Sequence, residues 1–219
     1  MKTKKIILFI LMFLPLLYTV VALQILPDQI PAHYNIHNQV DRWGSKYETL
    51  IFPAITIIFG FIMLCVTKLA AKQEKNGHNN ENISLLLGIL SLILFNAMTL
   101  YFLYADFHAV ENLSNISIDI SQLIFAILGI IMIIMGNIMP KVRLNSALGL
   151  RTVWSMKNST TWKKSQHFGG ITFMITGFLI LIISFFTKGF PCVILSLCII
   201  IISLPIDILY TYKVAKKYS

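Results

Sequence analysis

Six long apolar stretches constrain this chain more than any other feature. They cover residues 6–26, 47–67, 83–107, 120–139, 168–187 and 190–212. An α-helix needs roughly 20 apolar residues to cross the hydrocarbon core of a bilayer. In lipid every backbone polar group must be bonded internally, so stretches of this length form helices. The sequence therefore predicts an all-α transmembrane protein built as a six-helix bundle.

The composition excludes the other broad classes. Hydrophobic residues make up 57% of the chain, charged residues 12%, and the mean hydropathy is +0.77. A typical soluble domain carries about 25% charged residues, so this chain has too few to cover a water-exposed surface. The first stretch follows Lys2, Lys4 and Lys5, as in a signal peptide. Its apolar run exceeds the usual signal core of about 7–15 residues, and we expect a retained helix.

The basic residues predict the orientation. Fifteen of the 18 Lys and Arg residues fall in connections on one side of the predicted bundle, and Arg42, Lys46 and Lys188 fall on the other. Cytoplasmic connections are enriched in Lys and Arg, so both termini are predicted to be cytoplasmic. We interpret the formal charge of +9 as a result of the cytoplasmic connections and of their contact with the anionic inner leaflet. We expect no direct binding of nucleic acid.

A polar break at residues 70–82 predicts the domain organisation. Residues 1–75 form a two-helix unit whose outer connection is residues 27–46. Residues 76–82 form a polar cytoplasmic linker. Residues 83–219 form a four-helix unit with a basic cytoplasmic connection at residues 140–167. Cys65, Cys192 and Cys198 lie inside apolar stretches and are expected to be small apolar fillers.

The outer connection holds the first group of candidate site residues. Pro27 and Pro31 end the first helix, and residues 41–44 have the composition of a turn. The candidates for an ordered cap or for contact with a peptide or other ligand are His33, Tyr34, Asn35, His37 and Asp41. A metal site of the two histidines with Asp28 or Asp41 is a third alternative, although the prolines disfavour the helix that it needs.

The order of residues in this connection resembles a widespread bacterial membrane domain of unknown function. The matching residues are Leu26-Pro27, Ile30-Pro31-Ala32-His33-Tyr34-Asn35, Asp41 and Ser45-Lys46. Asn38 departs from the pattern, which usually has Gly at this position. Asn tolerates a positive φ better than most residues, so the turn is expected to be retained.

The basic connection at residues 140–167 carries six Lys and Arg residues, no acidic residue, and Trp154 and Trp162 between the charges. We expect an anchor on the inner leaflet, with both tryptophans near the membrane interface. A docking surface for a cytoplasmic protein and a structural plug between helices are alternatives. The residue order resembles the core motif of the SdpI immunity-protein family: Gly136-Asn137, Asn145, Gly149-Leu150-Arg151-Thr152, Trp154, Trp162, His167 and Gly169-Gly170.

This resemblance implies a polytopic protein of the bacterial cytoplasmic membrane that protects the cell from a secreted membrane-active peptide toxin. Some family members also relay the presence of toxin to a cytoplasmic repressor. The implied partners are the bilayer, an extracellular peptide toxin and a transcriptional repressor, with no cofactor and no catalytic residue. A small transporter or permease is the alternative, for which Asn96 and Asp207 are the clearly polar residues at depth. An enzyme is the least supported class, because His-Glu-x-x-His and Gly-x-Ser-x-Gly are absent from the sequence.

Asp207 lies within the last apolar stretch, where an unpaired carboxylate is costly. We expect Arg151 to pair with it, and Asn137 and Asn145 to complete one polar cluster. The predicted inner relay residues are Asn137, Asn145, Gly149, Arg151, Thr152, Trp154, Trp162 and Asp207. Asn96 is expected to bond a neighbouring helix.

Overall fold

A computed structural model describes residues 2–73 and 78–218. Its α-helices are α1 Lys2–Ala22, α2 Ile51–Lys72, α3 Asn79–Phe107, α4 Ile120–Ile138, α5 Ser159–Phe186 and α6 Gly189–Tyr218. Within the described ranges, six helical segments are long and apolar enough to cross a membrane. Many of their large apolar side chains are exposed, as a lipid-facing surface requires. The protein is therefore a multi-pass membrane protein, as predicted.

Close backbone approach joins α4 to α5. A Cβ atom added to Gly136 would lie 2.6 Å from the carbonyl oxygen of Gly170, and one added to Gly129 would lie 2.7 Å from that of Gly177. Both distances are too short for a real side chain, so these positions require glycine. Small residues at this spacing let membrane helices pack closely, and they fix the pairing of α4 with α5.

Helix α3 packs against α1 and α2 and also contacts α4. The hydroxyl groups of Thr67 in α2 and Ser84 in α3 are 2.8 Å apart and share a buried hydrogen bond. One turn further along α3, Gly88 faces Leu8 of α1 and Met63 of α2. The predicted division into a two-helix and a four-helix unit stays a prediction. Residues 76–77 of the predicted linker lie outside the described residues, and residues 79–82 belong to α3.

The connection between α1 and α2 contains an antiparallel hairpin, formed by β1 (Gln29–Tyr34) and β2 (Val40–Ser45). The prediction of an all-α chain is therefore wrong for this connection. The turn predicted at residues 41–44 is also wrong, because these residues lie in β2. The two strands form an isolated ribbon with prolines and charged residues, so neither strand has a regular apolar alternation that would reveal it in the sequence. We refer to residues 29–45 as the hairpin.

Helix α5 begins nine residues earlier than the predicted apolar stretch. Asn158 caps it by accepting hydrogen bonds from the backbone amides of Thr160 and Thr161, at 3.0 and 2.9 Å. The Thr161 hydroxyl accepts a bond from the Asn158 amide in return, which completes a capping box. The predicted basic connection therefore extends only to residue 158. We refer to residues 142–158 as the basic loop.

Candidate functional site

Asn35 and Asn38 form the turn of the hairpin. The Asn35 side-chain oxygen accepts hydrogen bonds from the backbone amides of His37 at 2.8 Å and Gln39 at 3.1 Å. Asn38 has a φ of 62°, which Asn adopts more readily than most residues. The prediction that Asn38 replaces glycine without loss of the turn is confirmed.

The hairpin is bonded to the connection between α3 and α4. The Tyr34 hydroxyl donates to the carbonyl oxygen of Val110 at 2.8 Å, and the Val40 amide donates to that of Glu111 at 2.9 Å. Burial and the nearby carboxylate of Asp106 raise the pKa of Tyr34, whose hydroxyl is a donor at neutral pH even without this shift. The hairpin is therefore fixed to the bundle at positions far away in the sequence.

Asp119 connects three elements at the hairpin end of the bundle. Its fully buried carboxylate caps α4 by accepting a 2.8 Å hydrogen bond from the Ser121 amide. The Asn38 side-chain amide donates to its other oxygen. The Gly189 amide, at the start of α6, donates at 3.2 Å to Asp119 Oδ1, the oxygen that caps α4. A single carboxylate thus joins the hairpin to the first turns of α4 and α6.

Two ion pairs stabilise the base of the hairpin. The Lys46 ammonium lies 2.9 Å from Asp28, and this hydrogen bond lowers the pKa of the Asp28 carboxyl. The Arg42 guanidinium bonds both oxygens of Glu48, at 3.1 and 2.8 Å, and this contact raises the pKa of Arg42. Four charged residues of the predicted outer connection and its border are therefore paired with one another.

His33 and His37 do not share a helical face, because His33 lies in β1 and His37 in the turn. His33 Nδ1 lies 2.5 Å from Asp41 Oδ1, and both side chains are substantially exposed. Among the described residues, no three His, Cys, Asp or Glu side chains form a group that could hold a metal ion. The arrangement fits an ordered cap, and contact with a ligand stays a prediction.

Gln166 of α5 holds the centre of the basic loop. The Leu150 amide donates to its side-chain oxygen, and its side-chain amide donates to the Leu150 carbonyl, both at 2.9 Å. Gly149 has a φ of 91°, and a Cβ there would meet the Gln166 side chain. Glycine is therefore required at position 149 both for the backbone conformation and for the space beside Gln166.

Asn145 folds the first part of the basic loop. Its buried side-chain oxygen accepts hydrogen bonds from the amides of Ala147 at 2.7 Å and Leu148 at 2.6 Å. Its amide group donates to the carbonyl oxygen of Arg143 at 2.6 Å. Asn145 thus bonds backbone amides and a backbone carbonyl of its own loop. This position requires a short side chain that both accepts and donates, as Asn does.

Paired side-chain amide bonds attach the basic loop to the ends of α2 and α3. Asn80 accepts from the Arg143 amide at 2.9 Å and donates to the Arg143 carbonyl at 3.2 Å. Gln73 accepts from the Ser146 amide at 2.6 Å and donates to the Ser146 hydroxyl at 2.5 Å. The loop therefore bridges α2 and α3 to the helices that follow it.

The last part of the basic loop contacts α6. The Thr152 hydroxyl donates to that of Thr211 at 3.0 Å, and the Thr152 amide donates to the Ser155 hydroxyl at 2.9 Å. Trp154 packs edge-on against Tyr212, with 5.4 Å between the ring centroids. A movement of α6 would therefore displace Thr152 and Trp154 of the loop directly.

Trp162 corrects a prediction. It was expected near the membrane interface with Trp154, but it is 2% exposed and lies in the first turn of α5. Its indole nitrogen donates to the Val142 carbonyl at 2.7 Å, and its ring packs with Ala70 and Ile83. Trp162 is a core residue that fixes the start of the loop.

Comparison with known proteins finds one family match that includes the hairpin and another that includes the basic loop. Residues 10–57, which include the hairpin, match a domain of unknown function (DUF1648), and residues 141–209, which include the basic loop, match the SdpI/YfhL protein family. The chain is similar to the SdpI/YfhL family. It is 28% identical to the immunity protein SdpI of Bacillus subtilis over 99% of this chain and 98% of that protein. An uncharacterized protein of Archaeoglobus fulgidus is 40% identical over 53 residues, 24% of this chain and 29% of that protein. No solved structure matches.

The predicted partner of Asp207 is wrong. Asp207 accepts a 2.6 Å hydrogen bond from the Thr172 hydroxyl of α5, and within the described ranges it forms no ion pair with Arg151. Arg151 and Asn137 are exposed. Thr211 is the α6 residue at the level of the loop, and Asp207 lies one helical turn deeper. The four residues thus do not form one bonded cluster.

Some residues that hold this fold together were not identified from the sequence. Gln73, Asn80 and Gln166 hold the basic loop, but their roles depend on partners that lie 16 to 73 positions away. Asp106, at the end of the stretch predicted at residues 83–107, is a further such residue. It is 4% exposed and lines a cavity of about 340 Å³ beneath the hairpin. An acidic residue at the end of an apolar stretch is the sequence feature that could have identified Asp106 as a candidate.

Proposed function

We propose that this chain is a membrane immunity protein that protects a bacterium against a secreted, membrane-active peptide toxin. The observation that carries the proposal is the similarity to the immunity protein SdpI along 99% of the chain. Such coverage includes the hairpin, the six helices and the basic loop together. Similarity confined to the hydrophobic helices would support only membrane location.

The proposed orientation puts the hairpin outside the cell, with the basic loop and both termini in the cytoplasm. The distribution of Lys and Arg supports it, since 15 of 18 lie in the connections assigned to the cytoplasm. The toxin then meets the hairpin and the connection between α3 and α4, while the basic loop faces anionic lipid and any cytoplasmic partner. The membrane is the bacterial cytoplasmic membrane.

Labelling of single cysteines tests this orientation. Ile36 in the hairpin is 66% exposed and Val153 in the basic loop is 77% exposed. In a variant whose three native cysteines are replaced, we expect Ile36→Cys to react with an impermeant maleimide on intact cells. Val153→Cys should react only after lysis. The reverse pattern would refute the orientation and both surface assignments.

Protection of a sensitive host tests the function. The full chain is expressed in a toxin-sensitive bacterium, which is then exposed to a panel of secreted membrane-active peptides. We expect survival against at least one peptide. The variant His33→Ala, which breaks the contact with Asp41, tests the contribution of the hairpin. Equal killing of cells with and without the chain by every peptide would reject the proposal.

A relay to a cytoplasmic repressor is the finer part of the proposal. Binding of toxin transmits a signal only if the toxin prefers one arrangement of the bundle over another. Asp119 links the hairpin to α6 at one end, and Thr211 links α6 to the basic loop at the other. Arg151→Ala should therefore reduce toxin-dependent derepression of a reporter while protection is retained. Lys163→Ala, which removes an exposed positive charge from the first turns of α5, is the matched control.

The polar residues at depth favour a binding protein over a transporter. Asn96 donates to the backbone carbonyl of Leu11 in α1 at 2.9 Å and to that of Leu92 at 2.7 Å. Asp207 is bonded to Thr172. Both side chains thus take part in contacts within or between helices, which supports the non-catalytic immunity role.

A further inference from the structure

The cavity beneath the hairpin combines two kinds of lining. It has a volume of about 340 Å³ and lies between β1, the start of α2 and the last turns of α3. Its walls are mainly apolar and aromatic, and Asp106 contributes a carboxylate. Pockets that bind small ligands or single side chains combine an apolar wall with a few well-placed polar groups, in volumes from about 300 Å³ upwards.

The carboxylate of Asp106 has no hydrogen-bond donor or cation in contact among the described residues, although the residue is 4% exposed. A buried carboxylate without a partner is costly, and folded proteins satisfy most such groups. The other buried acidic residues among those described do have partners: Glu81 pairs with Lys5, Asp119 caps α4, and Asp207 accepts a bond from Thr172. Asp106 is thus set apart by its lack of a partner, because Asp207, which also lines a cavity, is bonded to Thr172.

The remaining charges of the cavity lining compensate one another. Arg42 and Glu48 also line it, and the guanidinium bonds both carboxylate oxygens of Glu48. His33 is bonded to Asp41. Asp106 is therefore the acidic group of the lining that lacks a partner, and pairing with its carboxylate favours a cationic occupant over an anionic one.

Three aromatic rings line the same cavity. The rings of Phe52 and Phe102 stack with 5.0 Å between their centroids, and Tyr34 lies 6.5 Å from Phe102. Aromatic faces attract ammonium groups through the ring quadrupole, and the attraction is strongest when water is excluded. A carboxylate beside several aromatic rings thus matches the two needs of an alkylammonium group, which are charge and an apolar enclosure.

We propose that the cavity between the hairpin and helices α2 and α3 is a binding site for an ammonium group, held by Asp106 and enclosed by Tyr34, Phe52 and Phe102. The source of the ammonium group rests on the proposed function. In that function it is a lysine side chain or the amino terminus of the peptide toxin. Its chemistry is independent of that source. An ammonium group of an outer-leaflet lipid would meet the same residues.

Binding of hexylammonium to the purified full chain in maltoside detergent tests the site. We expect saturable binding of hexylammonium, measured by calorimetry or by ligand-observed NMR, and none of hexanol. Asp106→Asn should weaken hexylammonium binding about tenfold or more, since one buried charge-assisted hydrogen bond is lost. Phe102→Leu should weaken it as well and gives a second variant that leaves the carboxylate unchanged.

Glu111→Gln is the matched control, because Glu111 is an exposed carboxylate at the same end of the bundle and does not line the cavity. It removes the same charge and should leave hexylammonium binding unchanged. Equal weakening by Glu111→Gln and Asp106→Asn would show attraction to the surface charge only and would overturn the proposal. Equal affinity of the wild type for hexylammonium and hexanol would overturn it too.

Two further ligands distinguish the sources of the ammonium group. The first is the peptide acetyl-Leu-Lys-Leu-amide, whose control is acetyl-Leu-Gln-Leu-amide. The second is dihexanoyl phosphatidylethanolamine, whose control is dihexanoyl phosphatidylglycerol. Preference for the Lys peptide supports a peptide ligand, and preference for the ethanolamine lipid supports the same site with a lipid ligand. The protection assay remains separate: a chain that binds hexylammonium but protects no host refutes the immunity function and leaves the site intact.

Discussion

Substitution of Asn38 separates two contributions that this residue makes to the hairpin. Its backbone has a φ of 62°, and its side-chain amide donates to the fully buried carboxylate of Asp119. Asn38→Gly keeps the backbone conformation and removes the side-chain bond. Asn38→Ala removes the bond and also disfavours the backbone conformation. The two variants together therefore measure each contribution.

The magnitudes follow from the two contacts. A hydrogen bond to a charged group contributes about 1.5–3 kcal/mol, so Asn38→Gly should lower the free energy of unfolding by this amount. A left-handed conformation costs an L-residue about 1–2 kcal/mol relative to glycine. Asn38→Ala should thus be less stable than Asn38→Gly by that further amount. Asn115→Ala, at an exposed position of the same end, should change stability by about 0.5 kcal/mol or less.

Unfolding of the purified protein in a sodium dodecyl sulfate titration measures these differences. Hydrogen exchange of the Leu113 amide, which donates to the Asn38 carbonyl at 2.9 Å, reports local opening at the same contact. A Gly variant as stable as the wild type would show that the bond to Asp119 contributes nothing. An Ala variant equal to the Gly variant would refute the argument from the backbone conformation.

Two predictions concern the basic loop, and the same titration measures both. Trp162→Phe keeps an aromatic ring but leaves the buried Val142 carbonyl without its 2.7 Å donor, so we expect a loss of about 1–3 kcal/mol; Trp154→Phe, whose ring is partly exposed, should cost about 0.5 kcal/mol or less. Gly149→Ala should cost about 2–4 kcal/mol, because it strains the backbone and displaces Gln166, and faster tryptic cleavage of the loop should accompany the loss. Unchanged stability of either Trp162→Phe or Gly149→Ala would refute the corresponding role.

The helical part of the fold was predictable because it depends on local composition. The stretch predicted at residues 120–139 is α4, Ile120–Ile138, and the one at residues 83–107 lies within α3, Asn79–Phe107. In lipid the pattern of apolar residues alone determines which segments are helical. The start of α5 was missed, because its first turns carry Lys and Thr residues and lie before the apolar stretch.

The hairpin was not predictable from its residue pattern. Its turn depends on the side chain of Asn35, and β1 contains Pro31, which lacks an amide for the ladder. The strands are held by contacts to the connection between α3 and α4, for example from Tyr34 to Val110 across 76 positions. The positive φ of Asn38 was predictable, because few residue types tolerate it.

The candidate residues were easier to identify than their partners. Gly149 and Asn145 were named from the sequence, and both determine the shape of the basic loop. Arg151 was assigned to Asp207 because the basic loop supplied the nearest cations, but the depth of Asp207 within α6 puts it beside Thr172. One helical turn moves a side chain by about 5 Å along the helix axis. That distance is enough to give Asp207 the hydroxyl of Thr172 as a partner instead of the guanidinium of Arg151.

The two ends of the bundle differ in how their polar groups are satisfied, and this difference indicates which end binds a ligand. At the basic loop, the side chains of Asn145 and Gln166 have both their oxygen and their nitrogen bonded to backbone groups of the loop itself. At the hairpin end, Asp119 is equally complete, but Asp106 lies on a cavity wall without a partner among the described residues. Internal bonds hold a structure together, whereas an open carboxylate in an aromatic cavity gains free energy only when a ligand arrives. The proposed recognition site therefore lies at the hairpin end, and the proposed relay ends at a basic loop whose own side-chain amides are already bonded.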